Sequence, residues 1–267
     1  MNQIKIIILT LFISLIAISY PLYSMAQMDV AKADLSEIYR SYDHLKNLSF
    51  DVTYLYDSDT LNGDFTHNEL KGFYKIQGKK TLYQLGDISF MQNDSILIGL
   101  YTTKKMIIIG DPQYTAAEGA IPMRQQMDSL FKIQGQHYSI TVSSKSRSST
   151  ISFTGIDSVA QFRKYDITYD NNSDFIQKLD YSFIGITDRN LDDPSMMDST
   201  RERLLHEKRR KKLTIEFSNY SLHKIDAKDF DEKNYIVYDD KVYKSVVKYD
   251  DYKVYNTKRK KADKKNN

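Results

Sequence analysis

The chain has 267 residues, no Cys and no Trp, against 21 Tyr and 12 Phe, and a formal net charge of +3. Without Cys, a disulfide scaffold, thiol chemistry and acylation of a lipobox Cys are all excluded. The charge is too small to select an acidic partner, and the length is ample for a hydrophobic core.

Residues 1–26 read as a secretory signal peptide. Lys5 is its positive region, Ile6 to Ser19 its apolar core, Pro21 the break and Ser24-Met25-Ala26 the small-x-small cleavage pattern. The competing reading is a retained anchor, for which the apolar stretch must extend to Tyr23 to span a bilayer. Cleavage would start the mature chain at Gln27 with a net charge of +2, since Lys5 is the one charge lost.

The elements then follow in order. Residues 28–47 are expected to be helical, with Val30, Leu35, Ile38, Tyr42 and Leu45 on one apolar stripe. Leu48 to Tyr56 is a half-buried strand whose Leu48, Phe50, Val52 and Tyr54 point one way. Asp57 to Asn68 is a polar connection. From Gly72 to Gly110 the pattern is three or four short strands, with turns at Gln77–Lys80, Gln92–Ser95 and Thr102–Lys105. Ile96–Tyr101 and Met106–Ile109 are apolar on both faces, so both faces need cover. Asp111 to Pro122 is a loop. Met123, Met127, Leu130 and Phe131 draw a short amphipathic helix after it, either a core-packed connector or a lid.

From His137 the pattern is β. HYSITVS, STISFTG, KYDITYD and FIQKLDYSFIGI each alternate, with hairpin turns at Ser-Lys-Ser-Arg-Ser and Asp-Asn-Asn-Ser-Asp. Asp188 to Thr200 is an acidic loop, Arg201 to Lys212 a basic segment and Leu213 to Leu222 another alternating strand. Tyr235–Tyr238 and Val242–Tyr255 are the last ordered pieces, and residues 258–267 a disordered basic tail. The expected fold class is mainly β (α+β): one curved antiparallel sheet of about ten strands, with helices covering its concave side.

Chemistry is scarce. The five His stand at no metal-ligand spacing, and there is no nucleophile elbow, P-loop or dinucleotide fingerprint. Ser221-Leu222-His223-Lys224 fits a β-lactamase pattern by chance, on a strand end and without partner motifs. Asp188/Asn190/Asp192 and Asp170/Asn172/Asp174 match only the first ligands of a calcium loop and read better as Asx turns. No cofactor and no metal are expected, and an enzyme is disfavoured. The basic segments argue for a solvated face or contact with an anionic membrane surface rather than nucleic acid.

The order of elements resembles the LolA-like superfamily of periplasmic outer-membrane lipoprotein carriers. The resemblance rests on the helix, the aromatic strand Phe50-Asp51-Val52-Thr53-Tyr54, and the Gly-led strand Gly72 to Ile76 with its Gly78-Lys79-Lys80 turn. It continues through the strand pair around Asn93-Asp94 ending in Tyr101 and Met106 to Ile109, then Ile215 to Tyr220, Ile225 and Phe230. It implies one domain over 27–257, an open half-barrel with N-terminal and lid helices on its concave side. It also implies an apolar hollow for acylated ligands or lipoproteins. Candidate lining residues are Phe50, Val52, Tyr54, Ile98, Leu100, Ile107 and Ile109, with Met123, Met127, Leu130 and Phe131 from the lid. The carrier's Arg after the Gly-led strand has no counterpart, because no Arg stands between Arg40 and Arg124. Two functions follow: a periplasmic carrier or binder of an acylated or apolar ligand, and a non-enzymatic interaction subunit of an envelope assembly with protein partners.

Overall fold

The computed structural model describes residues 27–43, 45–59, 65–112, 135–157, 160, 162–184 and 210–258. The leader, the Met123–Phe131 helix, the acidic loop, most of the basic segment and the tail beyond Lys258 lie outside the described residues.

Residues 27–43 form helix α1. Strands follow as β1 (Asn47–Asp59), β2 (Phe65–Gln77), β3 (Lys80–Leu85), β4 (Ile88–Gln92), β5 (Leu97–Tyr101) and β6 (Met106–Gly110). Next come β7 (Tyr138–Ser144), β8 (Ser148–Gly155), β9 (Lys164–Asp170), β10 (Ile176–Ile184) and β11 (Arg210–Ser221). The chain ends with β12 (Ile236–Asp239), β13 (Val242–Ser245) and β14 (Lys253–Asn256). Twelve strands make one sheet in the order β14-β6-β5-β4-β3-β2-β1-β11-β10-β9-β8-β7, which has two ends and is not closed on itself. The strands from β2 to β6 pair antiparallel in succession, as do those from β7 to β10, whereas β14 runs parallel to β6. A separate antiparallel hairpin is made by β12 and β13.

The described residues fall into two compact units, one within 1–41, 55–67 and 125–215, the other within 42–54, 68–124 and 216–267. In the first unit the alternation of β7 to β10 sorts side chains cleanly. Ile140, Ile151, Phe153, Tyr165, Ile167, Leu179 and Tyr181 are buried, while the intervening Ser, Thr, Asp and Lys face outward. Helix α1 covers this apolar face. Gln27 accepts the Val142 N–H through Oε1 at 2.9 Å, and Tyr169 donates its hydroxyl to Asp34 Oδ2 at 2.7 Å. The buried stripe of α1 in this unit is Ala31, Leu35 and Ile38; Val30, expected on it, is 45% exposed. Ala31 and Leu35 lie four apart and Ile38 three further on, so the small Ala rather than the Val meets the sheet. Removing the Ile38 side chain costs about 2–5 kcal/mol, the range for a fully buried aliphatic.

At the Asp170 turn, the carboxylate accepts the Asn172 and Ser173 N–H groups at 2.9 and 3.0 Å. These backbone bonds hold the Asp170 pKa below its ordinary value. This is an Asx turn joining β9 to β10. The polar connection expected over 57–68 is shorter than that. The two strands run on to Asp59 and restart at Phe65, with Thr66 donating to the Ser58 carbonyl at 3.0 Å.

In the second unit, β3 to β6 present Leu82, Met91, Ile98, Leu100, Ile107 and Ile109 on one face as a single core cluster. A helix is the expected cover. The cover observed is the C-terminal segment: Ile225, Phe230 and Ile236 are buried in the cluster, with Tyr235, Tyr243, Tyr249, Tyr252 and Val254 packed on it. The segment is pinned by polar bonds. Asn93 Nδ2 donates to the Phe230 carbonyl at 3.2 Å and to Glu232 at 2.5 Å, Gln77 donates to the Ile225 carbonyl at 3.2 Å, and Lys75 meets Asp229 at 2.7 Å. The other end of Asn93 accepts the Ser95 and Ile96 N–H groups, so one side chain shapes the β4–β5 turn and anchors the cover.

Candidate functional site

The second face of the same strands is different in kind. Register aligns Tyr74 of β2 with Tyr83 of β3, Tyr83 with Phe90 of β4, Phe90 with Gly99 of β5 and Gly99 with Ile108 of β6. Cross-strand partners share a face, so these residues form one row. The rings stack in sequence: Phe50 on Tyr74 at 5.0 Å, Tyr74 on Tyr83 at 5.1 Å, Tyr83 on Phe90 at 5.0 Å, with Tyr101 edge-on to Phe90 at 5.9 Å. At the other end Phe50 meets Phe217 at 5.8 Å and Tyr220 at 5.3 Å, and the Tyr220 hydroxyl bonds that of Tyr42 at 3.1 Å. Each such ring pair is worth about 0.5–1.5 kcal/mol beyond its buried area.

Two tight turns set this register. Gly78 (φ +59°) and Gly86 (φ +57°) take the left-handed conformation that hairpin turns of the primed types require at their first central residue. Gly99 has a separate reason to be glycine. A Cβ there would stand 2.9 Å from the Phe90 ring and 3.3 Å from that of Tyr101, so the Phe90 ring lies over bare backbone.

Beyond Phe90 the row opens into a groove of about 470 Å³, lined by Phe90, Leu97, Gly99, Tyr101, Ile108 and Gly110, with Asp111, Pro112 and Thr257 at its rim. Gly99 and Gly110 put bare backbone at its floor, and Phe90, Leu97, Tyr101 and Ile108 supply its apolar contacts, though more of its surface is polar than apolar. The phenols further along the row stay neutral. Burial raises the Tyr54 pKa, partly offset by a hydrogen bond with Tyr74. Burial also raises Tyr74 and Tyr83, and neighbouring phenols add to the effect. The face thus combines a row of neutral aromatic side chains with a groove at its end whose surface is more polar than apolar.

Of the lining residues expected from sequence, Phe50, Val52 and Tyr54 do not share a surface with Ile98, Leu100, Ile107 and Ile109. Phe50 and Tyr54 contact Tyr74 on the aromatic face, and Val52, two residues from each, points the same way. The other four lie on the opposite face, packed against the chain's own C-terminal segment. The two sets thus face opposite ways: a two-sided apolar strand shows no preference for either face until its cover is known. Met123, Met127, Leu130 and Phe131 lie outside the described residues. Tyr74, Tyr83, Phe90, Gly99 and Tyr101 were missed as a group. Their signal is an aromatic on each successive hairpin arm, which becomes a row only when both turns have two central residues.

No protein-family model matches the sequence, and no curated protein matches it. Solved structures similar to this chain include a LolA superfamily protein from Nitrosomonas europaea, with 13% identity and a TM-score of 0.29, over 74% of this chain and 98% of that one. A DUF1329 family protein from Desulfovibrio piger is similar with 12% identity and a TM-score of 0.29, over 79% and 98%. So is the MucA/MucB complex of Pseudomonas aeruginosa, with 12% identity and a TM-score of 0.30, over 74% and 60%. At these identities and TM-scores they assign neither a family nor a function.

Proposed function

We propose that this protein is a periplasmic binder or carrier that holds an apolar chain, such as the acyl chain of a lipid or lipoprotein, on the aromatic face of β1 to β6. The observation that carries this reading is the groove floored by Gly99 and Gly110. Its volume of about 470 Å³ lies within the roughly 300–1,000 Å³ of small-molecule sites, and Phe90, Leu97, Tyr101 and Ile108 offer it apolar contacts within a surface that is more polar than apolar. The opposite face is filled by the chain's own C-terminal segment, so a ligand on these strands would take the aromatic face. Export through the 1–26 leader would place the protein where acylated envelope components are handled.

Gly110→Leu tests this. A Cβ at Gly110 meets Thr257 Oγ1 at 3.6 Å and Leu97 at 3.9 Å, ordinary contacts, so a larger side chain is accommodated and projects into the groove. Titration with a fluorescent fatty acid should show binding by the exported protein. The variant should bind at least about tenfold more weakly, the effect of losing about 1.4 kcal/mol of contact, with an unchanged melting temperature. If the unsubstituted protein binds no such probe, the carrier reading fails and the interaction-subunit reading replaces it.

A further inference from the structure

The twelve-stranded sheet ends at β7, whose outer side is a backbone edge. Register fixes which groups line it. Lys145 donates its N–H to the Ser148 carbonyl at 2.8 Å, and Ile156 donates to the His137 carbonyl at 2.9 Å. Between these two bonds β7 pairs with β8 without a shift, so His137, Ser139, Thr141, Ser143 and Lys145 bond inward. The N–H and C=O groups of Tyr138, Ile140, Val142 and Ser144 therefore point away from β8. The bond from the Val142 N–H to Gln27 Oε1 at 2.9 Å agrees with that parity.

Native sheet edges are blunted by charge, proline, a bulge or shortness. None of these devices is present in β7. Its seven residues, Tyr-Ser-Ile-Thr-Val-Ser-Ser, hold no charge and no Pro, and their pairing is regular. Tyr, Ile, Thr and Val are strong strand formers. Gln27 guards one of the outward N–H groups with a single side-chain bond. The two ends of the strand carry opposite charge. Lys145 and Arg147 stand exposed at the hairpin with β8. Asp157 stands at the other end, where its Oδ2 meets His137 Nδ1 at 2.7 Å.

We propose that β7 is the interface of a two-fold dimer, pairing antiparallel with β7 of a second copy of this chain into one continuous sheet. Two identical strands meeting antiparallel are self-complementary. Centred on Thr141, the pairing uses every outward group: Ile140 stands opposite Val142 of the second copy, and Tyr138 opposite Ser144. It also sets Lys145 opposite His137 of the second copy, whose imidazole holds Asp157. Unlike charges thus meet twice, once at each end of the paired strands. Any other two-fold register leaves outward groups unpaired and shifts the lysine from the aspartate. A foreign extended peptide would take the same edge, but β7 and its flanks already supply their own complement in backbone and in charge. Forming the ladder exchanges the Gln27 bond for one to Ile140 of the second copy, so Gln27 competes with the dimer.

The test is sedimentation equilibrium of the exported protein over a range of concentrations. The unsubstituted chain should form a reversible dimer. Val142→Pro removes an outward N–H and should abolish it, since a proline on an edge strand leaves the β8 pairing intact. Gln27→Ala removes the competitor from both copies and should tighten the dimer about tenfold. Lys145→Glu and Asp157→Lys each bring like charges together twice and should each weaken it about tenfold. An equimolar mixture of these two variants should recover the dimer, because only the mixed pair restores both attractions; misfolded variants would not recover on mixing. An unsubstituted chain that stays monomeric at every concentration overturns the proposal. So do a dimer that Val142→Pro leaves intact and a mixture no tighter than its components. The groove residues lie on other strands, so Gly110→Leu should dimerise as the unsubstituted chain does, and failure here is separable from failure of the groove.

Discussion

Asp240 and Lys241 hold the two central positions of the β12–β13 turn, both at positive φ, +49° and +64°. A two-residue hairpin turn of this kind suits the right-handed twist of its strands, but it asks for left-handed conformation twice. A side chain with Cβ pays roughly 1–2 kcal/mol for that conformation. Lys241→Gly relieves it and leaves Asp-Gly, a favoured pair, against roughly 0.5–1 kcal/mol of added unfolded-chain entropy. The expected net gain is about 0.5–1 kcal/mol, a rise of roughly 2 °C in melting temperature for a chain of this size. A calorimetric scan showing a fall would mean that the lysine side chain has a folded-state role. Asn93 is the contrasting residue. Its composition marks a turn, and both ends of its amide are used, so its value lies as much in anchoring Phe230 as in turning the chain.

Among the elements, β14 is short and unusual. It is four residues long and lies parallel on β6, whose Ile107 and Ile109 are fully buried. It is held by Val254 in the core, by the Lys253 N–H on the Lys105 carbonyl at 3.0 Å, and by the N–H and hydroxyl of Thr257 on the Ile109 carbonyl, both 2.7 Å. Lys105 and Asp251 add an ion pair just before it. The physical task of β14 is to close an edge. Met106–Gly110 without it would be an apolar edge strand with unpaired backbone groups, a template for association. A chain ending at Tyr252 should therefore form soluble oligomers or aggregate, where a chain ending at Lys258 stays monodisperse by size-exclusion chromatography. Equal behaviour of the two would show that the β6 edge needs no cover.

At the scale of the molecule, the two units solve the same problem by different means. In one, an amphipathic helix covers a sheet face with strict alternation. In the other, irregular C-terminal chain, held at Asp226 and Asp231 by short 3-10 caps, covers strands that are apolar on both sides. Lys258, expected in the tail, belongs to this cover, since its ammonium donates to the Ser95 carbonyl at 3.1 Å. Removing residues 259–267 should leave the melting temperature unchanged within a degree or so, because a solvated run of charge buries nothing. A loss of several degrees would place the tail against the fold.

The strands of this protein were legible because local alternation encodes them. Tyr165, Ile167 and Tyr169 read as one face before any tertiary contact is known, and β7 to β10 follow that reading closely. The same logic placed α1 but not its details: Val30 and Ala31 are adjacent and only the sheet decides which is covered, and Leu45, expected on the stripe, lies past the helix, which ends at residue 43. For Ile98, Leu100, Ile107 and Ile109 the pattern carries no face at all, since both sides of their strands are apolar. Their assignment depended on Ile225, Phe230 and Ile236, which lie more than a hundred residues further along the chain. The aromatic row depended on register: Tyr74, Tyr83 and Phe90 meet only because two glycine turns bring them opposite one another, and a one-residue slip would send each to the other face. Local sequence therefore determined the elements and their half-buried faces, whereas tertiary structure decided which apolar face was consumed as core and which carries the aromatic row. Periodicity records how a segment is buried, and only long-range pairing records by what.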